Sequence, residues 1–267
     1  MTDLYWLEQT DADVPANNDW LGANETIRLE GLRFAKRRAD WRLGRWTAKR
    51  ALAACLSIPE NHRTLADIEI RPAPSGAPEV FLASRPLDVS ISLSHSFGTA
   101  VCAIALSVVA LGCDREKIDS RSEVFIADYF TPEEQALLAQ SSAVARDRLL
   151  AVLWSGKEST LKSLHEGLRL DTRSMIVYPS DTAFTLSGWH RLQVRYLDEE
   201  VFHGWWEYAG DFVQTLISNP PPDRPLHLQS PGDSAERSLA RSEIDPNPAT
   251  FLSRAVYYSE IRPISKW

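Results

Sequence analysis

Three short stretches of the sequence contain residues whose types and spacing could do chemistry: Ser94-His95, Gly112-Cys113-Asp114-Arg115-Glu116, and the segment from Trp154 to Lys162. In an extended segment Asp114 and Glu116 point to the same face, where their carboxylates repel each other unless a cation or a proton lies between them. Mg²⁺ would relieve that repulsion, because it prefers oxygen ligands and completes its coordination with water and substrate phosphates. The pattern predicts a metal site; the alternative is a solvated acidic pair at a strand end.

The third stretch adds a carboxylate and a positive charge if it is helical. Trp154, Glu158 and Lys162 would then share one face, because residues four apart are neighbours on a helix. The alternative is an exposed ion pair worth about 0.3–0.5 kcal/mol. Gly156 costs about 1 kcal/mol relative to alanine inside a helix, which indicates that another group approaches the helix closely there.

Residues 28–50 form a basic segment on an acidic chain. The segment has nine lysines and arginines against two acidic residues, a net charge of +7, whereas the remainder carries −14. The overall charge of −7 argues against a protein that coats nucleic acid with its whole surface. The local charge favours an anionic ligand or an acidic partner, although the same residues could be solvated helix charges.

The elements that must position these residues follow from hydrophobic periodicity. Helices are predicted at 26–39, 41–56, 122–129 and 143–164, with a further helix that begins at the capping box of Thr131 and Glu134. Strands are predicted at 4–7, 67–71, 80–82, 90–93, 100–107, 174–178, 183–186, 191–196, 204–209 and 212–217. The order of strand, helices and strands occurs twice, which predicts an α+β fold of two similar α/β halves. Element order alone supports this duplication, since no repeat of residue identity stands out.

The predicted boundaries divide the chain into three parts. We expect an N-terminal half at 1–107, a C-terminal half at 108–218, and a partly irregular tail rich in proline and serine at 219–267. The three cysteines lack metal-ligand spacing and are expected to be reduced thiols. Neither a leader segment nor an apolar run long enough to span a bilayer is evident. These features predict a cytoplasmic protein that does not bind membranes.

Taken together and in this order, the three stretches resemble the motifs of the Sfp-type 4'-phosphopantetheinyl transferases. That family shows Ser-His, then Gly-x-Asp-x-Glu, then Trp-x-x-Lys-Glu-[Ala/Ser]-x-x-Lys. The basic helix at 38–50 and the loop at 75–78 resemble the family's Arg-rich helix and Gly-x-Pro loop, so the match covers residues 30–170. Two positions depart from the pattern: Arg115 stands where the family often has an apolar residue, and Ala77 where some members have a basic one.

The resemblance implies a fold and an activity. It implies a pseudo-twofold structure with the active site in the cleft between the halves, and a monomer. The implied reaction is that of a holo-[acyl-carrier-protein] synthase type enzyme. It transfers 4'-phosphopantetheine from coenzyme A to a serine of an acyl or peptidyl carrier protein and releases 3',5'-ADP. The basic segment would be a steering surface for the acidic carrier.

The resemblance also implies roles for individual residues. Mg²⁺ would be held by Asp114, Glu116 and Glu158. Glu158 would act as the base, directly or through a metal-bound water, and Lys162 would neutralise the departing phosphate or donate a proton to it. The residues expected to hold coenzyme A are Arg38, Arg45, Lys49, Ser94, His95 and Lys157.

Three alternatives stay open from the sequence. A Mg²⁺-dependent hydrolase of a nucleotide anhydride would use the same carboxylates without a carrier. A non-catalytic homologue could bind coenzyme A or a carrier as a scaffold, although the intact Asp114, Glu116, Glu158 and Lys162 argue against it. A nucleic-acid binder would use the basic helices with Trp41 and Trp46 and would show a steep salt dependence, but the acidic remainder opposes it.

Overall fold

The computed structural model describes residues 2–166, 169–180, 188–197 and 200–228, which belong to one compact unit, Met1–Leu228. The helices in this part of the chain are α1 (Ala23–Glu30), α2 (Ala35–Cys55), α3 (His62–Asp67), α4 (Glu123–Tyr129), α5 (Pro132–Ala139) and α6 (Ala143–Ser163). The strands are β1 (Leu4–Thr10), β2 (Ile68–Pro72), β3 (Pro78–Leu82), β4 (Arg85–Pro86), β5 (Ser90–Ser96), β6 (Thr99–Ala105), β7 (Ala110–Lys117), β8 (Met175–Pro179), β9 (His190–Tyr196), β10 (Glu200–Ala209), β11 (Phe212–Asn219) and β12 (Leu226–His227).

Two sheets, each packed against one long helix, form the body of the protein. The first has the order β12-β1-β6-β5 and shares a core with α2, and the second has the order β7-β11-β10-β9-β8 and shares a core with α6. A third sheet, β2-β3-β4, also belongs to the first half of the chain. The predicted α+β fold with two similar halves is confirmed, whereas the boundaries at 107/108 and 218/219 stay predictions.

A repeated buried ion pair relates the two halves at the level of side chains. Helices α2 and α6 are both 21 residues long, and each has tryptophan at its twelfth position and lysine at its fifteenth. Lys49 lies 2.5 Å from Glu25, and Lys157 lies 2.9 Å from Glu134, with both lysines fully buried. Each glutamate comes from an eight-residue helix, α1 or α5. The sequence therefore contains a repeat, Trp-x-x-Lys, that was not recognised from element order.

The hydrogen-bond partners of the two glutamates and two lysines are also equivalent in the two halves. A buried charged group is stable only when its hydrogen bonds are satisfied. Glu25 accepts from the N–H of Gly22 at 3.1 Å and that of Ile70 on β2 at 3.1 Å. Glu134 accepts from the N–H of Thr131 at 2.9 Å and that of Val177 on β8 at 3.0 Å. Each lysine also donates to two backbone carbonyls, those of Trp20 and Leu65 for Lys49 and those of Thr172 and Met175 for Lys157.

The two sheets are joined along β5 and β7 by serine hydroxyls. Ser92 Oγ accepts from the N–H of Cys113 at 2.8 Å, and Ser94 Oγ accepts from the N–H of Arg115 at 3.1 Å. Two residues earlier on β5, Ser90 Oγ accepts from the N–H of Val109 at 2.9 Å. The alternating serines predicted a strand correctly, and their hydroxyls take the place of a backbone ladder between the sheets.

The observed elements differ from the predicted ones at several boundaries. The two helices predicted at 26–39 and 41–56 are instead a short α1 and a continuous α2 that runs through residue 40. The capping box of Thr131 and Glu134 is confirmed at the start of α5. The strand predicted at 183–186 lies outside the described residues. Among the helices of the described ranges, none combines the length and the hydropathy that a bilayer crossing requires.

The described part of the predicted tail is ordered against the first half. Strand β12 runs parallel to β1, with Leu226 opposite Tyr5 and His227 opposite Trp6. Thr2 bonds to this segment through its own N–H, which donates to the carbonyl of Pro221 at 3.3 Å. Residues 229–267 lie outside the described part of the chain.

Candidate active site

Strand β7 and helix α6 carry the four residues with candidate catalytic or metal-binding roles. Asp114 and Glu116 lie on β7, and Glu158 and Lys162 lie on α6. The helix approaches the strand closely because Gly112 has no side chain, since a Cβ at that position would lie 1.7 Å from the carbonyl oxygen of Ser159. The glycine of Gly-x-Asp-x-Glu therefore sets the distance between the two elements.

Helix α6 presents one narrow face to the site. Between residues 151 and 162 the side chains that are not buried are Trp154, Glu158 and Lys162, which confirms the predicted shared face. Trp154 packs against the rings of Phe125 and Tyr129, at 5.0 and 5.2 Å between centroids. Glu158 and Lys162 are therefore the charged groups that this face offers.

Gly156 lies on another side of α6, where the helix packs against the second sheet. A Cβ there would lie 2.9 Å from Cγ1 of Val177 and 3.3 Å from Cδ2 of Leu192. The group that approaches the helix at Gly156 is thus the sheet of the second half and not a ligand.

Asp114 is the most enclosed carboxylate of the site, with 4% of its surface exposed. Its Oδ1 accepts a hydrogen bond of 2.7 Å from Lys162 Nζ and one of 3.0 Å from Ser94 Oγ. Lys162 Nζ also donates to the carbonyl of Cys113 at 3.0 Å. The other oxygen, Oδ2, is buried and has no hydrogen-bond partner among the described residues.

The charges of the site act on one another. Burial raises the pKa of Glu116 to about 7, and the negative charges of Asp114 and Glu158 add to that rise. Arg121, whose guanidinium lies 3.3 Å from Glu116, and Lys162 oppose it.

The pKa values of Glu158 and Lys162 on α6 are also shifted by their neighbours. Burial and the charge of Asp114 raise the pKa of Glu158, and Lys162 opposes the rise. Burial disfavours the charge of Lys162, but the neighbouring Asp114 raises its pKa above the ordinary value overall. Lys162 is therefore a cation at neutral pH.

The donor set fits Mg²⁺ only in part. The described residues contain no group of three His, Cys, Asp or Glu side chains placed to hold a metal ion, so the expected cage of Asp114, Glu116 and Glu158 is not preformed. Three carboxylates that repel one another and one unpartnered buried oxygen still favour a hard cation. Mg²⁺ usually takes few protein carboxylates and obtains its other ligands from water and substrate phosphates. The residues thus fit an ion that takes its remaining ligands from water or from a bound phosphate.

A cationic cleft of about 730 Å³ adjoins Lys162, large enough for a small-molecule ligand. Its charged lining comes from Arg45 on α2, Arg71 on β2, and Lys162, His165, Glu166 and Arg169 at and after the end of α6. The loop at residues 75–78 and apolar side chains of β5 and α6 form the remaining walls. Guanidinium groups pair well with phosphates, so the lining favours a ligand with several phosphate charges.

Arg45 is the predicted coenzyme A residue that the structure places in the cleft wall. Its side chain is 17% exposed, its guanidinium lies 5.0 Å from the ring centre of Trp41, and its Nε is 3.8 Å from Glu25. Burial lowers the pKa of Arg45 and Glu25 opposes this effect. Arg38 and His95 are exposed and do not line the cleft.

The structure contradicts three of the predicted coenzyme A contacts. Lys49 and Lys157 are fully buried, and their ammonium groups are used by a glutamate and two carbonyls each, so neither can reach a ligand. Burial lowers the pKa of both lysines, and their glutamates oppose it. Ser94 is 7% exposed, and its hydroxyl contacts Asp114 and the N–H of Arg115 instead of the cleft.

Two arginines and one histidine of the cleft were not found from the sequence. Arg71 directly precedes Pro72 and the loop that resembles the family's Gly-x-Pro loop. His165 and Arg169 follow Lys162 by three and seven residues and lie after the end of α6 at Ser163. All three lie three to seven residues beyond the nearest motif residue, so the motifs gave no signal for them.

Comparisons with known proteins single out the second half. Residues 110–216 match the model of the 4'-phosphopantetheinyl transferase superfamily, a segment that begins in β7 and ends in β11. Among solved structures, the chain is similar to holo-[acyl-carrier-protein] synthase (AcpS) from Thermotoga maritima. The two are 19% identical, with 47% of this chain and 73% of that chain covered and a TM-score of 0.31. No curated protein matches the chain.

Proposed function

We propose that this protein transfers 4'-phosphopantetheine from coenzyme A to a serine of an acyl or peptidyl carrier protein and releases 3',5'-ADP. One observation carries the proposal. The segment that matches the transferase superfamily contains Asp114, Glu116, Glu158 and Lys162, whose charges act on one another, and Lys162 also lines the cationic cleft. The Sfp-type motifs support the same reading.

The cleft would bind coenzyme A through its phosphates. Arg45, Arg71 and Arg169 offer guanidinium groups to the diphosphate and the 3'-phosphate. The apolar wall formed by Ile91, Leu93, Leu111 and Leu161 is suited to the uncharged pantetheine arm.

The chain's own residues would move the proton and balance the charge. The carrier serine oxygen forms a bond to the phosphorus that bears the pantetheine arm, and the bond from that phosphorus to the bridging oxygen of the diphosphate breaks. Glu158 accepts the serine proton, because burial and Asp114 make it a stronger base than an ordinary glutamate. Lys162 neutralises the negative charge that develops on the departing 3',5'-ADP. Mg²⁺ bound by Asp114, Glu116 and Glu158 would supply further electrostatic stabilisation of the diphosphate.

An exposed part of the basic segment would receive the carrier protein. We call this surface the basic patch; it consists of Ile27, Arg28, Arg33, Phe34, Arg37 and Arg38. Its arginines are exposed and make no ion pair within the described residues, and Ile27 and Phe34 are 68% and 71% exposed. Among the other cations of the segment, Arg42 donates to backbone carbonyls and Lys49 pairs with Glu25.

The basic patch leads toward the cleft. Arg38 precedes Arg45 by seven residues on α2, so the two lie on the same helix face about 10 Å apart along its axis. An acidic carrier drawn to the patch would therefore meet the cleft entrance nearby. We further propose a monomer that acts in the cytoplasm; a monomer is what the resemblance to the Sfp-type transferases implies.

Intact-mass analysis of an apo carrier protein tests the function directly. After incubation with the protein, coenzyme A and Mg²⁺, the carrier is expected to gain one phosphopantetheine arm on a serine, and Glu158→Gln is expected to abolish the gain. A control without carrier measures 3',5'-ADP release. Release that does not depend on the carrier, with no gain of mass, would show an anhydride hydrolase instead.

A further inference from the structure

The hydroxyl of Ser94 bridges β5 to the enclosed carboxylate of the site. Ser94 Oγ accepts from the N–H of Arg115 at 3.1 Å and donates to Asp114 Oδ1 at 3.0 Å. A serine hydroxyl has one proton, so the bond accepted from the backbone leaves that proton free to point at the carboxylate. The backbone N–H of Arg115 thus fixes the Ser94 hydroxyl, and that hydroxyl orients the side chain of Asp114.

Ser94 differs from the other serines of β5 in this respect. Ser92 Oγ accepts from the N–H of Cys113 at 2.8 Å, and Ser90 bonds to the N–H and the carbonyl of Val109. Neither makes a hydrogen bond to a carboxylate within the described residues. All three serines join the two sheets, but Ser94 alone of the three also acts on Asp114.

The two carboxylate oxygens of Asp114 differ in their hydrogen bonding. Oδ1 accepts from both Ser94 and Lys162, whereas Oδ2 is buried without a partner in the described part of the chain. Leaving a buried carboxylate oxygen without a partner costs free energy, so a cation that binds Oδ2 would offset that cost. A carboxylate that is free to rotate would instead exchange the two oxygens.

We propose that Ser94 is a positioning residue that, together with Lys162, fixes Asp114 so that Oδ2 remains the oxygen available to a divalent cation. The inference rests on the proposed function, since it concerns the metal of that reaction. Ser94 itself contacts neither coenzyme A nor the ion. It acts through Asp114, as groups that support metal ligands commonly do.

Mn²⁺ binding to the protein alone, followed by electron paramagnetic resonance, tests the proposal without coenzyme A or a carrier. Ser94→Ala is expected to weaken Mn²⁺ binding about tenfold, in the range typical for such supporting groups. Ser94→Thr retains the hydroxyl and is expected to restore binding. Ser92→Ala is the matched control, because it removes a hydroxyl from the same seam without touching a carboxylate, and it should bind Mn²⁺ as the unaltered protein does.

Transfer assays over a range of Mg²⁺ concentrations give a second readout. Ser94→Ala should raise the Mg²⁺ concentration for half-maximal rate about tenfold and leave kcat at saturating Mg²⁺ nearly unchanged. Equal weakening of Mn²⁺ binding by Ser92→Ala and Ser94→Ala would overturn the proposal, because it would show only a structural role. No Mn²⁺ binding by the unaltered protein, or unchanged binding in Ser94→Ala, would overturn it as well. If Mn²⁺ binding follows the expected pattern but no carrier is modified, the positioning role stands and the proposed transfer fails.

Discussion

Lys162 Nζ donates a hydrogen bond of 2.7 Å to Asp114 Oδ1, so the last turn of α6 and the middle of β7 meet at one ion pair. Among the described residues of α2, no such pair occupies the equivalent positions. The position in α2 that corresponds to Lys162 is Ala54, and the one that corresponds to Glu158 is Arg50. Both halves keep the buried pair of lysine and glutamate, but among the described residues the second half alone has an acid and a lysine at these two helix positions.

Lys162→Met should strongly reduce transfer, and it should also lower the free energy of unfolding, because the buried Asp114 loses its ion-pair partner. The change removes the cation placed against the departing phosphate, and the loss of one such stabilising group typically lowers kcat by about 10²–10³. Steady-state kinetics with a carrier at saturating coenzyme A would measure it. Lys36→Met is the control, because Lys36 is 86% exposed in a surface pair with Asp40. Near-normal kcat in Lys162→Met would remove this residue from the mechanism.

Lys49→Met and Lys157→Met should each destabilise the fold. Either change leaves a buried glutamate without its counter-ion, which costs about 3–5 kcal/mol of the free energy of unfolding. Urea denaturation would measure the loss. Whatever protein stays folded should keep the KM for coenzyme A unchanged. A raised KM with unchanged stability would instead make these lysines coenzyme A ligands.

Gly112→Ala and Gly44→Ala should have opposite effects. A Cβ at position 112 would collide with the backbone of α6, so we expect a loss of about 3 kcal/mol in the free energy of unfolding. A Cβ at Gly44 would meet no atom within 4 Å, and alanine is favoured in a helix interior by about 0.5–1 kcal/mol. Thermal unfolding of both variants compares the two. Equal tolerance at both positions would contradict the close approach of α6 to β7.

Stability should fall as pH rises through the titration of Glu116. Its pKa is about 7 in the folded protein against an ordinary value of 4.5, so the folded state holds this proton more tightly than the unfolded state does. Stability is therefore lost from about pH 4.5 up to about pH 7 and levels off above it. Without divalent ions, the unaltered protein should lose about 2–3 kcal/mol relative to Glu116→Gln between about pH 5 and pH 8, since one pKa unit corresponds to about 1.4 kcal/mol. Parallel stability curves for the two proteins would refute the shift.

Charge reversal on the basic patch should act on carrier recognition alone. The double change Arg37→Glu and Arg38→Glu should raise the KM for the carrier about tenfold at low salt and leave kcat unchanged, because the patch steers encounter and does not touch the reacting atoms. Added salt should shrink the difference, since it screens exposed charges. Arg63→Glu, an exposed change on α3, is the control. If neither the mutations nor added salt changes the KM for the carrier, the carrier docks on another surface.

Local patterns in the sequence predicted most elements and the catalytic face of α6. The spacing of Trp154, Glu158 and Lys162 was sufficient because a helix face is fixed by four-residue steps. The capping box at Thr131 was equally local. The strand that carries Asp114 and Glu116, β7, was not among the predicted strands; its extended conformation was only the condition under which the two carboxylates would share a face.

The contacts that the sequence did not reveal join residues far apart in the chain. Lys49 lies in a segment rich in lysine and arginine, and its burial depends on Glu25, 24 residues earlier. The role of Ser94 depends on β7 lying beside β5, which no local periodicity encodes. The repeated Trp-x-x-Lys of α2 and α6 was present in the sequence, and it is the signal that both lysines share one buried environment.

The parallel strand β12 has a consequence for synthesis of the chain. It covers the edge of β1 only after the whole second half has emerged from the ribosome, so the first sheet retains an unpaired edge until then. A shortened protein that stops at residue 219 would keep that edge permanently and tend to self-associate. Expression of a trimmed form should therefore extend through Leu228, whose N–H donates to the carbonyl of Trp6 at 2.8 Å.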